Sequence, residues 1–201
     1  LKTLLLPKDY IRFRLTGEKA TEVSDAAGTL LFDVRNRRWS KELLEKLDIS
    51  SKILPPVCES TQVCGKVTQG VARSTGLKAG TPVVGGGADN TCGAIGNGIV
   101  REGRVLSSIG TSGVIFAHTD RVKIDPRMRV HTFCHSVPSR WYLMGVTLSA
   151  GNSLRWFRDS LSPLETQLER ISGIDAYSVL TEEARMAPPG SEGLVFLPYL
   201  T

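Results

Sequence analysis

Apolar residues along the chain change their spacing several times, and Pro and Gly mark most of the changes. Pro7 stands where a helix would begin, and Tyr10, Ile11 and Leu15 continue it to a stop at Gly17. Thr29 to Val34 reads as a strand, and Ser40 caps a helix carrying Leu43, Leu44 and Leu47. Pro55-Pro56 breaks the chain before a short strand near Val63 to Val67. Gly76 and Gly80 frame a turn into the apolar strand Pro82-Val83-Val84, which Gly85-Gly86-Gly87 ends, and small residues follow from Thr91 to Val100. From Arg101 the style changes. Arg104 to Ile109 and Val114 to His118 form a hairpin around Gly110-Thr111-Ser112-Gly113, and Val130 to Cys134 and Trp141 to Leu148 are further strands. A helix starts near Gly151 with Leu154, Trp156, Phe157 and Leu161 on it, and two more span Leu164 to Ile171 and Ala176 to Met186. Gly193 to Leu200 reads as a buried closing strand. Strands and helices alternate on both sides of residue 100, which predicts an α/β chain with a boundary there.

Composition narrows this only a little. With 201 residues, 41% hydrophobic and 22% charged, the chain is long enough to bury a core and too apolar to be disordered. The leucine run at Leu4 to Leu6 ends at Pro7, far short of the roughly 18 apolar residues of a membrane helix, and lacks a signal-peptide cleavage site. A start at Leu1 in place of Met suggests a piece of something longer. The net charge is +5, yet the one tight basic cluster, Arg35, Arg37 and Arg38, lies beside Asp33. It reads as a solvated turn, with a phosphate or nucleic-acid patch as the weaker alternative. His131, Cys134 and His135 are too few for zinc without a distant fourth ligand, so the four cysteines read as mostly buried free thiols in a reducing cytoplasm. The expectation is therefore no nucleic acid, no membrane and no metal held by this chain's own cluster.

Three places could carry chemistry. GxxxxGK[ST] is absent, and Gly85-Gly86-Gly87-Ala88-Asp89-Asn90 misses GxGxxG because Asn90 replaces its last glycine. What that run offers is Asp89, an acid at the carboxyl end of a strand and the start of a helix, where α/β proteins gather site residues. The three glycines would leave a ligand room to reach it. Helix capping by Asp89 is an equal alternative. Gly110-Thr111-Ser112-Gly113 could offer N–H groups and hydroxyls to phosphate oxygens, or be a plain hairpin turn. Ala150-Gly151-Asn152-Ser153 begins a helix whose unpaired N–H donors would attract an anion, although helix initiation explains it equally.

Together these segments resemble the FGGY carbohydrate kinases. Leu5-Leu6-Pro7-Lys8-Asp9-Tyr10-Ile11 with Arg14-Leu15-Thr16-Gly17 looks like that family's leucine-proline-lysine segment. Four further runs are similar to the branch acting on xylulose: Ser24 to Asp33, Gly86 to Asn90, Ser108 to Gly113 and Leu148 to Asp159. Phe196 to Thr201 matches the start of another family motif. The resemblance implies an actin-like, ribonuclease-H-like two-lobed sugar kinase present as partial lobes. Residues 1–100 would be the later part of the sugar-binding lobe, and 101–201 the front of the nucleotide-binding lobe. It implies that Asp89 is the catalytic base, touching the sugar together with Asn90, and that Gly110, Thr111 and Ser112 meet the ATP phosphates. Gly151 and Arg155 fall where relatives contact nucleotide, some of them with Gln at the position of Arg155.

The implied reaction is ATP-dependent phosphorylation of a sugar, D-xylulose to D-xylulose 5-phosphate, with Mg²⁺ bridging the phosphates. An ordinary aspartate is ionised at neutral pH and can take the hydroxyl proton. Gluconate, ribulose, fuculose or glycerol are alternative substrates, and a non-catalytic sugar-binding or regulatory protein on the same fold is the rival reading. The family's first Asp-Gly-Thr/Ser hairpin and its adenosine loop do not occur in these residues, so the chain alone is expected to be inactive. Open sheet edges leave self-association, a homodimer included, as an expectation.

Overall fold

A computed structural model describes residues 2–200, so Leu1 and the motif residue Thr201 lie outside it. The chain opens with α1 (Pro7–Thr16), with Pro7 in its first turn and Gly17 ending it at φ +79°. The helix is where its spacing predicts, but its inward face is polar. Asp9, Arg12 and Thr16 are buried while Tyr10 and Ile11 are exposed. Strand β1 (Thr21–Glu22) runs straight into α2 (Val23–Gly28), whose cap is the Glu22 carboxylate accepting from the Ser24 and Asp25 amides. Of the strand expected over 29–34, only β2 (Phe32–Asp33) pairs, with β3 (Arg38–Trp39). Ser40 caps α3 (Lys41–Lys46) through the Leu43 amide, and β4 (Val57–Cys58) pairs in parallel with β1. Strand β5 (Val63–Lys66), helix α4 (Gln69–Thr75) and strand β6 (Pro82–Val84) follow, with β5 and β6 antiparallel. Helix α5 (Asp89–Gly96) comes next.

Strands β7 (Val105–Ile109), β8 (Gly113–Thr119), β9 (His131–Cys134) and β10 (Trp141–Thr147) form one sheet in the order β7-β8-β10-β9. Helices α6 (Gly151–Leu161), α7 (Pro163–Ser172) and α8 (Ala176–Arg185) match their predicted spans. Residues 193–200 correct an expectation. They form no strand: no described strand pairs with them to satisfy their backbone groups, and Leu194 is 82% exposed. Among the described residues no helix is long and apolar enough to cross a membrane.

By contacts, Leu1–Leu106 with Phe116–Gly145 form one compact unit, and Ser107–Ile115 with Val146–Thr201 another. The first has two apolar clusters. One joins Val23, Ala26, Ala27 and Phe32 to Cys134; the other joins Ala94 and Ile99 to Phe116 and Tyr142, whose rings stack at 4.0 Å. The second unit is thinner, with α6 and α7 burying no residue and α8 burying Ala176 and Leu180.

Two smaller expectations meet the first unit. Arg37 is not a solvated turn residue: its guanidinium grips Glu59 with two bonds of 2.7 Å, donates to the Arg140 carbonyl and lies over the Trp141 ring. Cys134 and His135 have structural partners. Burial pushes the Cys134 thiol up to about 12, and its Sγ faces the Val34 carbonyl. His135 Nδ1 accepts from the Val137 amide, so its Nε2–H donates to the Ile99 carbonyl, and burial, aided by His118, brings its pKa down to about 4.

Candidate functional site

Strand β6 leads into Gly85-Gly86-Gly87-Ala88 and then α5. The helix cap is Ala88, not Asp89, and no side chain caps it. Asp89 is the first helical residue, exposed, and among the described residues its Oδ1 accepts only from the adjacent Asn90 amide at 2.7 Å. Asn90 is exposed beside it. The capping alternative therefore does not describe this carboxylate. The glycines have a reason different from ligand access. A side chain at Gly85 would meet the Glu59 carbonyl at 2.8 Å, and one at Gly87 would strike Ser136 Oγ. Gly86 turns at φ +84° under the stem of Lys8.

The loop is held by side chains from distant segments. Ser24 Oγ accepts from the Ala88 amide at 2.9 Å and donates to the Glu22 carboxylate at 2.7 Å. Thr91 Oγ1 donates to the Ala88 carbonyl and lies 2.5 Å from Ser136 Oγ. The Gly85 carbonyl accepts from Arg12 Nη1 at 2.6 Å and from Lys8 Nζ at 3.1 Å. Arg12 also pairs with Asp9 at 3.0 Å, and Glu22 accepts from the Ser24 and Asp25 amides and from Ser60 Oγ. Both carboxylates are fully buried, which is tolerable because each is paired or hydrogen-bonded. Lys8 reaches Asp9 at 2.8 Å, Asp25 at 3.2 Å and Glu22 at 3.7 Å. Burial lowers the Lys8 pKa, but its bond to Asp9 and the charges of Asp9, Glu22 and Asp25 outweigh this and raise it. Burial raises the Asp25 pKa despite Lys8.

In the second unit the turn at Gly110–Gly113 lies on the start of α6. The Thr111 carbonyl accepts from the Ala150 amide at 2.8 Å and the Asn152 amide at 3.2 Å, and the Gly110 carbonyl accepts from the Gly151 amide at 2.9 Å. This corrects the expectation of free donors at that helix start: those N–H groups are already bonded to the turn. Gly151 is a glycine because a Cβ there would lie 2.6 Å from the Gly110 oxygen. At the tip of the turn, donors stay free, although the Gly110 amide is bonded to the Ser112 carbonyl at 2.8 Å. Thr111 and Ser112 are exposed, and neither their hydroxyls nor their amides bond to any described residue. Arg155 is exposed one turn beyond Gly151, without an acidic partner among the described residues. Asp89 and Asn90 thus stand in one unit, and Gly110, Thr111, Ser112, Gly151 and Arg155 in the other.

Residues 1–96 match the FGGY family of carbohydrate kinases, N-terminal domain. The xylulose kinase of Bacillus subtilis (strain 168) is 45% identical over 196 residues, 98% of this chain and 37% of that protein. The family match places residues 1–96 in the N-terminal domain of the FGGY family of carbohydrate kinases. The chain spans less than two fifths of the length of the curated relatives it matches. Among solved structures, xylulose kinase from Rhodospirillum rubrum superposes with a TM-score of 0.83 at 32% identity, covering 99% of this chain and 39% of that one. Gluconate kinase from Lactobacillus acidophilus gives 0.82 at 28% identity, covering 99% and 38%. The mixed helix and sheet architecture is therefore that of FGGY sugar kinases. Sequence reading missed the residues that hold the Asp89 loop: Lys8, Arg12, Glu22, Ser24, Thr91 and Ser136. The one available signal was the unusual run of charge at Lys8, Asp9 and Arg12 on a helix expected to be apolar inside.

Proposed function

We propose that the enzyme containing this chain transfers the terminal phosphoryl group of ATP to a hydroxyl of D-xylulose, giving D-xylulose 5-phosphate. The observation that carries this reading is the state of Asp89: an exposed carboxylate with no side-chain partner, on a loop fixed by buried groups behind it. In the reaction Asp89 accepts the sugar hydroxyl proton as the new O–P bond forms, and Asn90 helps orient the sugar. Thr111 and Ser112, with free hydroxyls and amides, suit phosphate oxygens, so these and Gly110 are the residues for ATP. Gly151 contributes the close seat of the turn, and Arg155 an unpaired cation for the nucleotide. Bound Mg²⁺ would neutralise phosphate charge, and the described residues contain no acidic or histidine cluster to hold it alone. Residues 1–100 we assign to the sugar lobe and 101–201 to the nucleotide lobe, supported by the N-terminal-domain match ending at residue 96. The cysteines are free thiols, and we place the enzyme in the cytoplasm.

Asp89→Ala in the full enzyme abolishes turnover and leaves ATP affinity within a few-fold; a variant keeping most of its kcat overturns the assignment. The 201-residue chain alone gives no turnover with xylulose in a coupled ADP-release assay, and a rate of about one per second would refute this. The likeness to gluconate kinase favours gluconate as the second substrate to test, and a substrate panel on the full enzyme decides between them.

A further inference from the structure

We propose that Lys8 is a positioning residue for phosphoryl transfer, clamping Gly85 and Gly86 so that Asp89 keeps its direction; this rests on Asp89 being the base. Asp89 has no side-chain partner to orient it, its one bond being to the Asn90 amide. Its direction is therefore set by the backbone between β6 and α5. Lys8 bonds that backbone once and covers it once. Its Nζ donates to the Gly85 carbonyl at 3.1 Å, and its Cδ lies 3.1 Å from where a Gly86 Cβ would be. Gly86 carries the positive φ of the turn, so cover there limits the one residue with the widest backbone freedom.

Arg12 grips the same carbonyl but has a different burden. It is 3% exposed, shares the fully buried Asp9 with Lys8 and also donates to the Ala20 carbonyl, so its loss would leave a buried hole and free more than the loop. Lys8 is 27% exposed, and without it Asp9 keeps Arg12 while Glu22 keeps its amide and serine donors. What would be lost is the cover on Gly86, the second donor on Gly85 and the cation beside Asp25. A direct role in binding an anionic ligand fits poorly, because Asp9, Glu22 and Asp25 already surround the ammonium.

The test uses the full enzyme. Lys8→Met lowers kcat about 10- to 100-fold, the range expected when a catalytic group is displaced by about an ångström. KM for ATP and for xylulose stay within about threefold, and Lys8→Arg, which keeps donors and stem, recovers kcat to within about threefold of the parent. Wild-type kcat in Lys8→Met overturns the proposal. So does a raised KM for xylulose at unchanged kcat, which would make Lys8 a sugar contact. If Lys8→Met does not fold, Lys8→Gln carries the test with the same criteria. Asp89→Ala is measured alongside: if it keeps its kcat, the assignment of the base fails, whatever Lys8 does.

Discussion

The loop before Asp89 and the turn at Thr111 are both rich in glycine, yet they are secured by different means. The first is fixed by side chains, from Lys8, Arg12, Ser24, Thr91 and Ser136, that reach in from four other parts of the chain. The second is fixed by main-chain bonds to Ala150, Gly151 and Asn152 at the start of the next helix. Side-chain anchoring lets the carboxylate be aimed by substitution at many positions. Main-chain anchoring turns on one bare position, Gly151, whereas the Asp89 loop needs its side-chain donors as well as bare glycines at 85 and 87. A point mutation therefore damages the two places in different ways.

The largest effect is expected at Gly151→Ala. The new methyl would sit 2.6 Å from the Gly110 oxygen, against backbone that has to shift. In the full enzyme kcat/KM for ATP falls about 100-fold while KM for the sugar stays within about twofold; equal damage to both would break the contrast. Next comes Gly87→Ala, whose Cβ meets Ser136 Oγ and Cys92 Sγ. Overpacking of this kind costs about 1–3 kcal/mol in urea unfolding, whereas Gly93→Ala, inside the helix that follows and with open space around it, is neutral or stabilising by up to about 1 kcal/mol. Equal costs at 87 and 93 would mean the loop is not tightly held.

The smallest effect at neutral pH, where it is nil, is a titration within the first unit. His135 is held near 4 when folded and returns to 6.5 when unfolded. Its contribution to stability is complete above pH 6.5, because acidification below that protonates the unfolded chain first, and it is lost as pH falls through about 4. The ring protons of His135 followed by NMR should titrate near the lower value; a midpoint at 6.5 would show that the ring is solvated.

Much of this was legible in the residues. Pro7 and Gly17 bracket α1, Ser40 caps α3, and the glycines around Asp89 and Thr111 mark the two turns. What was not legible has physical reasons. Helix α2 spans six residues, too short for a period, and takes its cap from a glutamate in the preceding strand. Helix α4 buries none of its residues, so it has no apolar face to read. In α1 Tyr10 and Ile11 point outward because Asp9, Arg12 and Thr16 take the inward face. Residues 193–200 carry the apolar run of a strand, but pairing depends on a neighbour that a local pattern cannot supply.

The long reach of Cys134, Ser136 and Arg140 has a consequence for synthesis on the ribosome. Cys134 closes the cluster around Val23 and Phe32, Ser136 meets Thr91, and the Arg140 carbonyl completes the grip of Arg37. A nascent chain that has reached residue 100 still lacks these groups, and at about 5–20 residues per second it waits roughly two to eight seconds for them. During that interval Ala26 and Phe32 are open to chaperones and to neighbouring chains, so slower decoding between residues 100 and 140 would reduce the yield of correctly folded protein.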